Sequence, residues 1–251
     1  MGVVLRIDDV QMTSDDIVNY LKFSGEFDEI ADRIVKDKMT VLAAKQRELG
    51  LSGDELQQAA DDYRRSLGMH RAKDTQEWLS ELNVTAEDLE TFVTELMLKN
   101  KMVNEVITDK AVDDYFALHS PQFETADIKH IVVQTMEKAK EIMALLDDDP
   151  DMFDELVKEH TLDEDTQYTQ GRMMNVRRGT LSPDLEAKVF NASVNDVVGP
   201  VQLGDEDFFE IACVLKTHPA DLNDAIKEEV GKAIYETWLQ ERAKDTSVSN
   251  K

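Results

Sequence analysis

The sequence predicts an α+β chain in which a small sheet covered by helices is inserted into an all-helical domain. Three observations carry this. Over the first 120 residues apolar side chains recur at three- and four-residue steps, separated by capping and stop signals. Past Pro121, short β-branched runs alternate with helical patterns and Gly-Pro turns. Past Pro219, one further helix carries an apolar face that the preceding segment leaves uncovered.

In order, residues 3 to 10 read as a short strand, and Thr13-Ser14-Asp15-Asp16 as an N-cap followed by acids that complement the helix dipole. Ile17, Tyr20 and Leu21 continue that helix. Ile30, Ile34, Val35, Met39, Leu42 and Ala43 define a second helix, which Gly50 stops. Ser52-Gly53-Asp54-Glu55 opens a third, ending at Gly68; Asp74 opens a short fourth through Trp78, Leu79 and Leu82. Thr85-Ala86-Glu87-Asp88 caps a fifth, with Leu89, Phe92, Val93, Leu96, Met97 and Val103 on one face, and Asp109 to Leu118 is a sixth.

In the second segment Ile128 to Val133 reads as a strand, Glu137 to Leu146 and Met152 to His160 as helices, and Thr161 to Gln170 as a polar loop. Met173 to Val176 is a strand and Pro183 to Phe190 a helix with proline in its first turn. Val197 to Leu203 is a strand interrupted by Gly199-Pro200, and Phe208 to Leu215 a central strand. The expected organisation is a helical domain over 1–121, the α+β domain over 122–218, a C-terminal helix over 219–245 packing on the first domain, and a disordered tail over 246–251.

The formal net charge is −25, from 53 acidic against 28 basic side chains. Such a field opposes nucleic acid and anionic membrane surfaces and favours a basic or neutral partner over a polyanion, while the same charge also reads as plain solubility through solvated acidic faces. A single cysteine, Cys213, leaves no disulfide within the sequence and no thiolate metal cluster. Val3-Val4-Leu5 is too short for the apolar region of a signal peptide, and no stretch approaches the roughly twenty apolar residues that insert across a bilayer. The sequence as written is therefore expected to be cytoplasmic. Phosphate loops, His-Glu-x-x-His and Gly-x-Ser-x-Gly patterns are absent, and no cofactor or metal is expected. Asp147-Asp148-Asp149 with Asp151 lacks the glycine and glutamate of a calcium loop.

Chemistry concentrates between His130 and Phe190. Lys129-His130-Ile131-Val132-Val133, the helix Phe153-Asp154-Glu155-Leu156-Val157-Lys158-Glu159-His160, Thr161-Leu162-Asp163, Arg178-Gly179-Thr180-Leu181-Ser182-Pro183 and Val198-Gly199-Pro200-Val201 follow one another in a fixed order. In order and spacing this resembles the parvulin type of peptidyl-prolyl cis-trans isomerase, and the helical flanks resemble those of the SurA and PrsA chaperone-foldases. The resemblance implies a small antiparallel sheet covered by helices, a proline pocket with His130 and Asp163 as its catalytic polar groups, Leu181 and Leu185 as its ring-binding wall, and Met173, Phe209 and Glu210 as further substrate-binding candidates. It also implies clients that are unfolded, nascent or precursor polypeptides with X-Pro bonds.

Three features depart from the family, one being that the methionine and phenylalanine of its proline pocket stand here as Leu181 and Leu185. Its Gly-Gly-Asp-Leu-Gly signature stands here as Gln170-Gly171-Arg172-Met173-Met174. The histidine of its last strand is replaced within Asp207-Phe208-Phe209-Glu210-Ile211, by either Phe209 or Glu210. The expectation is therefore an isomerase with reduced turnover, set against a parvulin-fold escort that binds peptides without turning them over. Without the family pattern, His130 reads as a hydrogen-bonded core histidine on a strand, and Asp163 as an acid capping a loop turn.

Overall fold

A computed structural model describes residues 3–204 and 207–244; the tail expected over 246–251 lies outside them. The chain divides into two compact units, residues 1–112 with 231–251, and residues 113–230. The limits differ from the expected Pro121 and Pro219 because a continuous helix runs through each division, Asp109–His119 (α6) and Asp224–Lys244 (α11).

The first unit opens with a two-stranded hairpin, Val3–Ile7 (β1) and Val10–Thr13 (β2), where the sequence suggested one strand. The turn between them places Asp8 at φ 51°. Ser14–Ser24 (α1), Gly53–Ser66 (α3) and Ala86–Val106 (α5) each begin with a reciprocal capping box, formed by Thr13 with Asp16, Ser52 with Glu55 and Thr85 with Asp88. Ala72–Glu81 (α4) begins two residues before the expected Asp74. Phe27–Gln46 (α2) and α5 supply the core: Val41, Ala43 and Ala44 meet Leu98 and Met102, and Trp238 of α11 packs on the same cluster. The Tyr235 hydroxyl lies 2.6 Å from Thr40 Oγ1, and Lys36 pairs with Glu236, so this part of α11 is tied to α2 by polar as well as apolar contacts.

The second unit is built on a four-stranded antiparallel sheet of order β4-β3-β6-β5, with Thr125–Val133 (β3), Arg172–Arg177 (β4), Val197–Gln202 (β5) and Phe209–His218 (β6). Alternation along β3 and β6 sends side chains to two faces. Ile131, Val133 and Ile211 face Met136–Asp148 (α7) and Phe153–His160 (α8), burying Ile142, Leu146, Phe153 and Val157. Ile128, Ala212 and Val214 face the other way, onto Leu185 and Val189 of Pro183–Asn191 (α10). His130, Val132 and Glu210 share this second face by strand alternation.

The expected polar loop contains a short helix, Glu164–Gln167 (α9), capped by Asp163. Two glycines allow close backbone approaches. At Gly171 (φ +70°) a Cβ would lie 2.3 Å from the His130 carbonyl oxygen, and at Gly199 (φ +121°) 2.7 Å from that of Glu210. Among the described residues no helix is long and apolar enough to cross a membrane.

Leu185 is fully buried between α10 and the sheet. Leu185→Ala is expected to lower the unfolding free energy of this unit by about 2–5 kcal/mol, the cost of a large-to-small change in a packed core. Urea titration reads this directly, and a loss well under about 1 kcal/mol would contradict the packing described.

Candidate active site

The centre of the site is the His130 imidazole, buried on β3 at 6% exposure. The β3–β6 register pairs His130 with Ala212 and Val132 with Glu210, so Glu210 reaches His130 along the diagonal of the ladder. Glu210 Oε1 lies 2.6 Å from Nδ1. On the other side of the ring, Asp163 Oδ2 and Thr166 Oγ1 each lie 2.9 Å from Nε2. The Thr166 hydroxyl donates to Asp163 Oδ2, which leaves its oxygen free to accept from the imidazole. A protonated ring satisfies the whole arrangement, with Nδ1–H donating to Glu210 and Nε2–H shared between Asp163 and Thr166.

Local sequence explains how the loop acids arrive there. Thr161 Oγ1 accepts from the backbone N–H of Val132 and of Asp163, and the Leu162 N–H donates to the Val132 carbonyl, so the segment is stitched to β3. Asp163 then caps α9, its Oδ1 accepting from the Asp165 N–H while Oδ2 turns to His130. The Gly171 carbonyl accepts from the His130 N–H, and its own N–H donates to the Thr166 carbonyl. One glycine thereby locks the histidine strand and the loop helix together.

The electrostatics follow from this geometry. Burial works to lower the His130 pKa, but the hydrogen bonds and charges of Glu210 and then Asp163 outweigh it and hold it above the ordinary 6.5. Burial pushes the Asp163 carboxyl up, but the Thr166 hydroxyl and His130 outweigh it and hold it below the ordinary 3.8.

These groups open into a groove of about 570 Å³ whose apolar walls are Val132, Leu162, Met173, Leu181, Leu203 and Phe208. His130, Asp163, Leu181, Met173 and Glu210, all candidates from the sequence, thus meet in one place. Leu185 and Phe209 do not line the groove. Leu185 lies in the core with Leu181 packed against that cluster, and Phe209 projects to the opposite face of the sheet, onto the α7 and α8 core. The last-strand position is therefore Glu210, as strand alternation requires. Thr166, Leu203 and Phe208 were not singled out from the sequence; the signal for Thr166 was its place three residues after an N-cap acid, where it turns back toward that cap. Ser182 Oγ, at the groove, is buried without a hydrogen-bond partner among the described residues.

The sign of the pH dependence is fixed by these shifts. His130, raised in the native state, contributes stability that is complete below about pH 6.5 and is lost as pH rises through its native pKa. Asp163, depressed, contributes stability present above about pH 3.8 and lost as pH falls through its native pKa. NMR titration of the His130 ring should therefore give a pKa above 6.5, lowered by Glu210→Gln more than by Asp163→Asn. A value below 6.5 in the unaltered protein would contradict the network.

Comparison with known proteins agrees with this geometry. Residues 122–212 match the rotamase family, described as the PPIC-type PPIASE domain. The chain is similar to the foldase protein PrsA of Halalkalibacterium halodurans, 24% identical over 249 positions covering 96% of this chain and 71% of that protein. It is also similar to the foldase protein PrsA of Clostridium botulinum strain 657, 23% identical and covering 85% of this chain and 67% of the relative. Its fold matches the crystal structure of peptidylprolyl isomerase PrsA from Bacillus cereus with a TM-score of 0.50 and 16% identity, over 100% of this chain and 95% of that one. Residues 122–212 are thus a parvulin-type, or PpiC-type, peptidyl-prolyl cis-trans isomerase domain, carried in a chain similar over most of its length to PrsA foldases.

Proposed function

We propose that the chain is a foldase whose groove isomerises X-Pro bonds of unfolded or precursor polypeptides, with His130, Asp163 and Glu210 as the working polar groups. The single observation that carries this is the juxtaposition, on a PpiC-type domain, of an apolar groove with a buried imidazole held between two carboxylates. The barrier to be lowered is about 18–20 kcal/mol, because rotation about the peptide C–N bond breaks amide resonance. Uncatalysed X-Pro exchange takes tens to hundreds of seconds.

The site suits that task without a nucleophile. Met173, Leu181, Leu203 and Phe208 offer apolar surface for the pyrrolidine ring, so the proline is gripped while the residue before it turns. The planar amide owes its stiffness to a charge-separated form with negative oxygen. A carboxylate such as Asp163 beside that oxygen, in a partly dry groove, disfavours the planar form relative to the twisted one. His130 and Thr166 fix where that carboxylate points, and Glu210 fixes His130. The Ser182 hydroxyl is a further group that a bound peptide backbone can satisfy.

The helical unit provides the chaperone part of this reading. Ile34 and Phe92, each about half exposed, and Leu96 with Val41 line a cleft of about 240 Å³ between α2 and α5. Such apolar surface suits segments of an unfolded client. The net charge of −25 favours clients with basic segments.

Cis-trans exchange in a proline peptide, read by exchange NMR or by a protease-coupled assay, should be accelerated at micromolar protein. His130→Ala should lower kcat/KM by about tenfold or more, ~1.4 kcal/mol of transition-state stabilisation, with the far-ultraviolet dichroism retained. A folded His130→Ala variant of unaltered activity would refute the site assignment, and an inert parent protein would refute the isomerase reading.

A further inference from the structure

We propose that the groove selects a cationic residue immediately before the proline, with Asp165 as the specificity-determining side chain; this rests on the isomerase reading of the same site. The charged residues lining the groove are Asp163, Asp165, Glu210 and His130, and among the described residues no lysine or arginine lines it. Asp163 and Glu210 are committed to His130. Asp165 is different. Its backbone N–H is used by the Asp163 cap, while its exposed carboxylate has no ion-pair or hydrogen-bond partner among the described residues. Three carboxylates against one imidazolium leave the groove with two uncompensated negative charges when His130 is protonated, and three when it is not.

Chain geometry says which substrate residue meets that charge. The rotating carbonyl belongs to the residue before proline, and that residue's side chain branches from the atom next to it. With the ring against the apolar wall and the carbonyl on the Asp163 side, the preceding side chain falls on the acidic side of the groove. Asp165 lies two residues beyond Asp163, in the first turn of α9, and is itself one of the residues lining the groove. A lysine or arginine there gains an opposite charge in a partly solvated setting, worth about threefold to fivefold in kcat/KM, whereas a carboxylate or phosphate there is opposed by a similar factor. Lysine and glutamate peptides should therefore differ by about tenfold.

The test is exchange NMR on Ala-Xaa-Pro-Phe peptides with Xaa lysine, leucine or glutamate, using the full chain and its Asp165→Asn variant. The expected order is lysine, then leucine, then glutamate. The lysine-to-glutamate ratio should shrink in Asp165→Asn, and should also shrink on going from about 0.01 M to about 1 M salt, as the screening length falls from ~30 Å to ~3 Å. Equal rates for the three peptides, or a ratio that Asp165→Asn leaves untouched, would overturn this inference while the isomerase reading stands. No acceleration of any peptide would overturn both.

Discussion

The buried imidazole of His130, held at one nitrogen by Glu210 and at the other by Asp163 and Thr166, is the interaction on which the second unit's site depends. A charge taken out of water on a strand at 6% exposure is costly unless it is paired and hydrogen-bonded. Two carboxylates meet that requirement from opposite ends of the ring. One comes from the neighbouring strand and one from a loop helix, so satisfying the histidine also fixes the loop against the sheet. Removing either partner would leave a buried charge with a worse environment than an apolar residue in its place.

Backbone packing makes this arrangement possible. The two glycines against the site sit on the carbonyls of its two strand residues, Gly171 on His130 and Gly199 on Glu210, at distances no Cβ could occupy. The α7 and α8 side of the sheet is closed by Ile131, Ile211 and their partners, and α10 closes the Ile128 and Val214 part of the other face. Polar side chains at His130 and Glu210 occupy that second face where the groove lies, so binding surface and core share the same strands. A residue buried one position away from His130, Ile131, has a purely structural task. The alternation of the strand separates the two.

Much of this was legible in the sequence. The capping boxes at Thr13, Ser52 and Thr85 were readable because each places a hydroxyl three residues before an acid. The strands of the second unit were readable from β-branched runs. The hairpin at Val3–Thr13 was not, since its turn uses Asp8 in a left-handed conformation with no glycine to announce it. The helix at Glu164–Gln167 was hidden for a similar reason: four polar residues have no apolar period, and only the Asp163 cap and Thr161 stitching hold them. At the site, His130 and Asp163 were identified by family pattern, and Glu210 was one of two choices. Period-two alternation from Ile211 separates Phe209 from Glu210 without any structure. Leu185 was misread as wall because sequence cannot distinguish the side chain that touches a ligand from the one behind it.

Glu210 gives the floor of the site a second carboxylate, on the opposite nitrogen of the His130 ring from Asp163. Glu210 and Asp163 are therefore coupled through the one imidazole of His130. A double-mutant cycle with Glu210→Gln, Asp163→Asn and their combination, read as kcat/KM for X-Pro exchange in one neutral peptide, measures that coupling directly. Clear non-additivity is expected, the second change costing much less once the first has been made. Strict additivity would contradict the coupling, because the two carboxylates would then act independently rather than through one imidazole.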